Sequence, residues 1–169
     1  MARHIGIAPS QKTQRHPLDL VEELIERNDW PFDRRNEDEI AIQVPGSWCD
    51  YSLFIAWNEE ISSMHVSCAF DMRVPLERRP FVHELLAMVN EKMWMGHFGL
   101  WTDEGLPMFR HTLSMRGTEG PTKEQIEDVI DVAVLECERF HPTFQYVVWG
   151  GQNAKDAIAT AMIDTVGEA

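Results

Sequence analysis

Glu39-Ile40-Ala41-Ile42-Gln43-Val44 and, after a Pro45-Gly46 turn signal, Tyr51-Ser52-Leu53-Phe54-Ile55-Ala56-Trp57 decide the fold. In the first run Ile40, Ile42 and Val44 recur at period two, which predicts a strand with one buried face. The second run is apolar on both faces, as a central strand should be. Asn58-Glu59-Glu60 then turns the chain, and Met64, Val66, Cys68 and Phe70 alternate with Ser63, His65, Ser67 and Ala69. Short connections make the three runs an antiparallel meander.

Helical signals flank the meander. Upstream, Pro17 suits a first helical position, where its missing N–H leaves nothing unpaired. Leu20, Val21, Leu24 and Ile25 follow at helical spacing, and Asn28-Asp29-Trp30-Pro31 ends the helix. Downstream, a helix is expected over residues 76–95, with Val82, Leu86, Val89 and Met93 on one face and Gly96 as its C-cap. A hairpin follows, residues 97–102 and 106–115, around a three-residue Asp103-Glu104-Gly105 turn. Thr122 and Gln125 form a capping-box pattern. The helix they open buries Ile126, Ile130, Ala133, Cys137 and Phe140, and Pro142 is expected to interrupt it. Residues 153–165 make a short last helix.

The resulting order is α-β-β-β-α-β-β-α with a terminal helix. Strands and helices come in blocks, which predicts an α+β fold: a five-stranded antiparallel sheet with helices mainly on one face. At 169 residues, with 44% hydrophobic residues, the chain fits one domain. Residues 1–15 hold Arg3, Lys12 and Arg15, no acid and no apolar periodicity, and read as a flexible basic tail on a single domain over 16–169.

Composition excludes more than it selects. The net charge of −13 disfavours a nucleic-acid backbone and an anionic membrane alike. No apolar run reaches the length of a membrane helix, and no signal-peptide core opens the chain. Cys49, Cys68 and Cys137 are odd in number and widely spaced, so they read as free thiols in a reducing cytoplasm.

Catalytic signatures are absent: no dinucleotide fingerprint, phosphate loop, zinc-protease or nucleophile-elbow motif occurs. With a three-residue hairpin turn, His97 would lie directly across from His111, two imidazoles on one face as half of a metal site. Cys137 and His141, four apart on a helix, are another half-site without further ligands. We therefore expect no catalytic residues, no cofactor and no metal, with His97 and His111 the weak metal candidates. The six tryptophans suggest an interface instead. Met93-Trp94-Met95 cannot all face one core, and Trp101 is expected to share a face with Phe109. Trp94, Met95, Phe98, Trp101 and Phe109 are the expected partner or dimer surface.

His16-Pro17-Leu18-Asp19-Leu20, Trp48-Cys49-Asp50-Tyr51, Ser67-Cys68-Ala69-Phe70-Asp71, Trp94-Met95-Gly96-His97-Phe98, Pro107-Met108-Phe109-Arg110-His111 and Glu136-Cys137-Glu138-Arg139-Phe140 resemble the bacterial YbjN family over residues 16–169. The resemblance implies a fold similar to the type III secretion chaperones, which are acidic cytosolic homodimers. It implies a regulator of sensory transduction, tied to stress and motility, and brings no catalytic residues. The expected function is a non-enzymatic, chaperone-like or regulatory protein-interaction module: a cytoplasmic homodimer with a protein partner, binding neither nucleic acid nor membrane. The alternative is a small-ligand or metal-binding sensor, or an enzyme, using the His97/His111 sheet face.

Overall fold

A computed structural model describes residues 15–167, with side chains through Ile163. The tail expected over residues 1–15 lies outside the described residues except for Arg15, which pairs with Glu23.

The elements are α1 (Pro17–Arg27), β1 (Phe32–Asn36), β2 (Glu39–Pro45), β3 (Asp50–Asn58), β4 (Ser63–Ala69), a 3-10 turn (Leu76–Arg78), α2 (Arg79–Asn90), β5 (His97–Trp101), β6 (Leu106–Ser114), α3 (Lys123–Val148) and α4 (Ala154–Gly167). The six strands form one antiparallel sheet in the order β1-β2-β3-β4-β6-β5. The α+β class and the antiparallel meander are as expected. The strand count is not: β1 is an additional edge strand. Its sequence, Phe32-Asp33-Arg34-Arg35-Asn36, has no apolar alternation, and four of its five residues are exposed. Pairing with β2 makes it a strand, so tertiary context overrides composition.

Register carries two adjacent cross-strand rows through all six strands. The row Phe32–Ile42–Leu53–Cys68–Phe109–Phe98 lies on the face that carries the core. Against it pack Leu18, Val21 and Ile25 of α1, Val82, Leu85 and Val89 of α2, and Ile130, Ala133, Cys137 and Phe144 of α3. The adjacent row on the opposite face, Asp33–Ala41–Phe54–Ser67–Arg110–His97, carries no helix among the described residues.

Two arginines fasten the helical layer. Arg34 of β1 reaches Glu22 of α1 at 2.7 Å and the Glu37 carbonyl at 2.6 Å. Arg78 donates to the Val147 carbonyl at 2.6 and 2.9 Å and to the Gln152 carbonyl at 2.8 Å, and its guanidinium lies 4.1 Å over the Phe81 ring. It thereby satisfies carbonyls at the end of α3, where the helix dipole favours a cation.

Two helix expectations are corrected. The helix after the meander ends at Asn90, not at residue 95, with only a 3-10 turn before Arg79. Pro142 does not interrupt α3, which runs unbroken from Lys123 to Val148. An interior proline costs about 3 kcal/mol. Burial of Phe140, His141 and Phe144 around it offsets that cost. The capping box at Thr122 and Gln125 forms as read.

Candidate functional site

The β5–β6 connection sets the geometry of the open sheet face. Gly105 donates to the Trp101 carbonyl at 2.6 Å and adopts φ +70°, the left-handed conformation that favours glycine. The turn therefore spans four residues, Thr102 to Gly105, and Trp101 pairs with Leu106. One extra turn residue shifts the register by one and moves side chains to the other face. His97 consequently pairs with Arg110, not His111. His111 pairs with buried Val66 on the core face, while His97 joins the outer row. The two-imidazole half-site expected there is thus corrected. Among the described residues no group of three His, Cys, Asp or Glu side chains is placed to hold a metal.

The same shift corrects two expected surface residues. Phe98 and Phe109 are core, 2% and 0% exposed, with their ring centroids 5.9 Å apart edge to face. Phe98 also meets Phe140 and Phe144 at 5.7 and 5.5 Å. Trp101 stands on the opposite face from Phe109, beside Leu106. Trp94, Met95 and Trp101, from the same expected set, are exposed.

Trp94 projects entirely into solvent from the segment between α2 and β5, yet that segment is held at both ends. The Asn90 side chain accepts from the Phe98 amide at 2.7 Å and donates to the Phe98 carbonyl at 3.0 Å. Lys92 and Met93 amides bond back to Val89 and Asn90. Gly96 adopts φ +68° against the Phe109 ring, where any Cβ would collide with the ring and lie 2.8 Å from the Arg110 carbonyl.

On the open face, strands β1, β3, β4, β5 and β6 bound a trough of about 650 Å3. Arg35 lies 5.3 Å over the Phe54 ring, and Trp101, Met108 and Arg110 complete the walls. Arg110 Nε donates to His65 Nε2 at 3.4 Å, while His65 Nδ1 bonds Thr112 Oγ1 at 2.8 Å. That pattern requires a neutral imidazole protonated on Nδ1. Burial holds His65 below its ordinary pKa, and the charges of Arg110, His97 and His111 add to the effect. None of this was read from the sequence, apart from Trp101. Arg35 sits on the unrecognised strand, and Arg110 could be assigned to the outer face only with the four-residue turn.

A third cluster lies at the other end of β3. His141 is 1% exposed, and neither ring nitrogen has a protein hydrogen-bond partner. Half-exposed Trp48 stacks on it at 6.0 Å and 6°, with Phe70 edge-on at 5.3 Å and Tyr51 at 6.3 Å. Burial lowers the His141 pKa, and the Glu138 carboxylate only partly counters this. Glu138 is itself held below the usual carboxylate range: burial works the other way, but hydrogen bonding from Ser47, with the neighbouring Tyr51 phenol adding to it, outweighs burial. Burial pushes the Tyr51 phenol well up, with Glu138 adding to the shift although their geometry falls short of a formed hydrogen bond. Cys137 lies one turn away with its thiol 3.6 Å from the Cys68 carbonyl, and burial drives its pKa well above the ordinary range. Such a thiol is a poor nucleophile at neutral pH.

Comparison with known proteins places these features in context. The family model YbjN, described as "Putative bacterial sensory transduction regulator", matches residues 17–146. A solved structure, "Crystal structure of YbjN, a putative transcription regulator from E. coli", aligns at 14% identity with a TM-score of 0.49, covering 78% of this chain and 87% of that one. No curated protein matches the chain.

Proposed function

Since this chain belongs to the YbjN family, we propose that it is a non-enzymatic regulatory module that engages a protein partner, in the manner of a secretion chaperone. It works as a cytoplasmic homodimer in bacterial stress or signalling pathways and binds neither nucleic acid nor membrane. The observation that carries this reading is Trp94. An indole held fully in water by a segment pinned through Asn90 and Gly96 is a preorganised anchor. Tryptophan is the residue type most enriched at binding hot spots, and rigid presentation lowers the ordering cost of association. Met95, partly exposed beside it, extends the apolar surface. The buried thiols and the separated histidines support the non-enzymatic part of the reading.

Light scattering on the purified chain tests the oligomer, and co-purification from the native host tests the partner. A mass of two chains with a stoichiometric companion protein is expected. A strict monomer with no companion would overturn the proposal.

A further inference from the structure

We infer that the trough on the open sheet face is a binding site for a small organic monoanion, a carboxylate carried on a flat or branched apolar body. This goes beyond the protein-partner reading and stands on a different part of the molecule. Size comes first: about 650 Å3 falls within the range of small-molecule sites, roughly 300–1,000 Å3. Shape comes from Gly99. A Cβ added there would meet nothing within 4 Å, so the missing side chain leaves open space above β5 between Trp101 and Met108. Phe54, Trp101 and Met108 supply apolar contact for a ligand body.

Charge then selects the polar end. Arg35 and Arg110 have no carboxylate partner among the described residues, in a chain with 28 acidic and 15 basic residues. Arg15, Arg34, Arg73 and Arg139 pair with acids and Arg78 caps α3, whereas Arg35 and Arg110 both line the trough. Arg110 is further oriented by the His65–Thr112 chain, which consumes one edge of the guanidinium and leaves other donors free. A guanidinium held in this way matches a carboxylate bidentately. The net charge of −13 decides between a small monoanion and an acidic polymer. A polyanion is repelled over its whole length, whereas one carboxylate responds mainly to the two nearby guanidiniums, because salt screens charges beyond about 10 Å.

Isothermal titration calorimetry of the full chain with 2-naphthoate and its neutral counterpart 2-naphthalenemethanol tests the inference. The carboxylate is expected to bind at least about tenfold more tightly, with the preference shrinking as salt rises. Arg110→Gln should erase most of that preference. Gly99→Val narrows the trough with a β-branched residue suited to a strand and should weaken binding of both compounds. A circular dichroism melt within a few degrees of wild type confirms that each variant folds. Equal affinity for the two compounds, no heat from either at millimolar concentration, or undiminished binding by folded Gly99→Val would overturn the inference. Binding of an acidic aromatic peptide without binding of the carboxylate would also overturn it and assign this face to a protein.

Discussion

Acidification should destabilise this protein through His141, and replacing that one side chain by phenylalanine should remove the effect. The imidazole is buried between Trp48, Tyr51 and Phe70 with no protein partner for either nitrogen. Protonating it there would place a cation in an aromatic box whose facing carboxylate, Glu138, does not compensate for burial. The folded state therefore binds its proton at lower pH than the unfolded chain, whose imidazole titrates near 6.5. With the folded pKa depressed, the stability attached to His141 is complete above about pH 7.5 and falls as pH drops through about 6.5. Between pH 6.5 and pH 5 this linkage can remove at most about 2 kcal/mol, from 1.36 kcal/mol per pH unit over about 1.5 units. Half-exposed Trp48 admits some solvent screening, which holds the loss below that ceiling. Urea unfolding of wild type and His141→Phe at pH 8, 6.5 and 5 measures it. Subtracting one from the other cancels carboxylates common to both. The gap should widen in favour of the variant between pH 8 and pH 5, by no more than about 2 kcal/mol. A gap that stays constant across pH would refute the argument.

Other consequences are equally direct. Arg78→Ala strips charge-assisted hydrogen bonds from the Val147 and Gln152 carbonyls and should cost about 2–4 kcal/mol in denaturant unfolding. Gly46→Ala drives a methyl into the Tyr51 ring, the Glu138 carboxylate and the Cys49 carbonyl at 2.7 Å, so its melting temperature should fall by several degrees. Phe98→Ala should cost about 3–5 kcal/mol as a core deletion, while Trp101→Ala should stay within about 1 kcal/mol. Similar costs for those two variants would contradict the four-residue turn.

Much of the architecture is legible in the chain. The period-two runs around Ile40, Leu53 and Val66 define three strands, and their shared register follows from short turns. Edge strand β1 is not legible, because an edge position buries too little to demand apolar residues. Helix α3 persists through Pro142 because long-range packing, invisible to local propensity, outweighs the missing hydrogen bond. The candidate sites were harder to read. A single residue, Thr102, belongs to the turn rather than the strand, and that alone moves Phe109 to the core and His97 away from His111. An exposed residue in Met93-Trp94-Met95 was legible, because three consecutive large apolar residues cannot share one face; Trp94 is the one wholly in solvent, with Met95 partly exposed.

The central claim, a binding module anchored by a rigidly presented indole, meets its most direct test in quantitative affinity capture from the native host with wild type and Trp94→Ala side by side. The substitution removes an exposed side chain, so stability should stay within about 0.5 kcal/mol. The account predicts that a specific protein recovered with wild type falls at least about tenfold with Trp94→Ala, as loss of a hot-spot residue implies. Equal recovery of every captured protein by the two, with both chains folded, would contradict it.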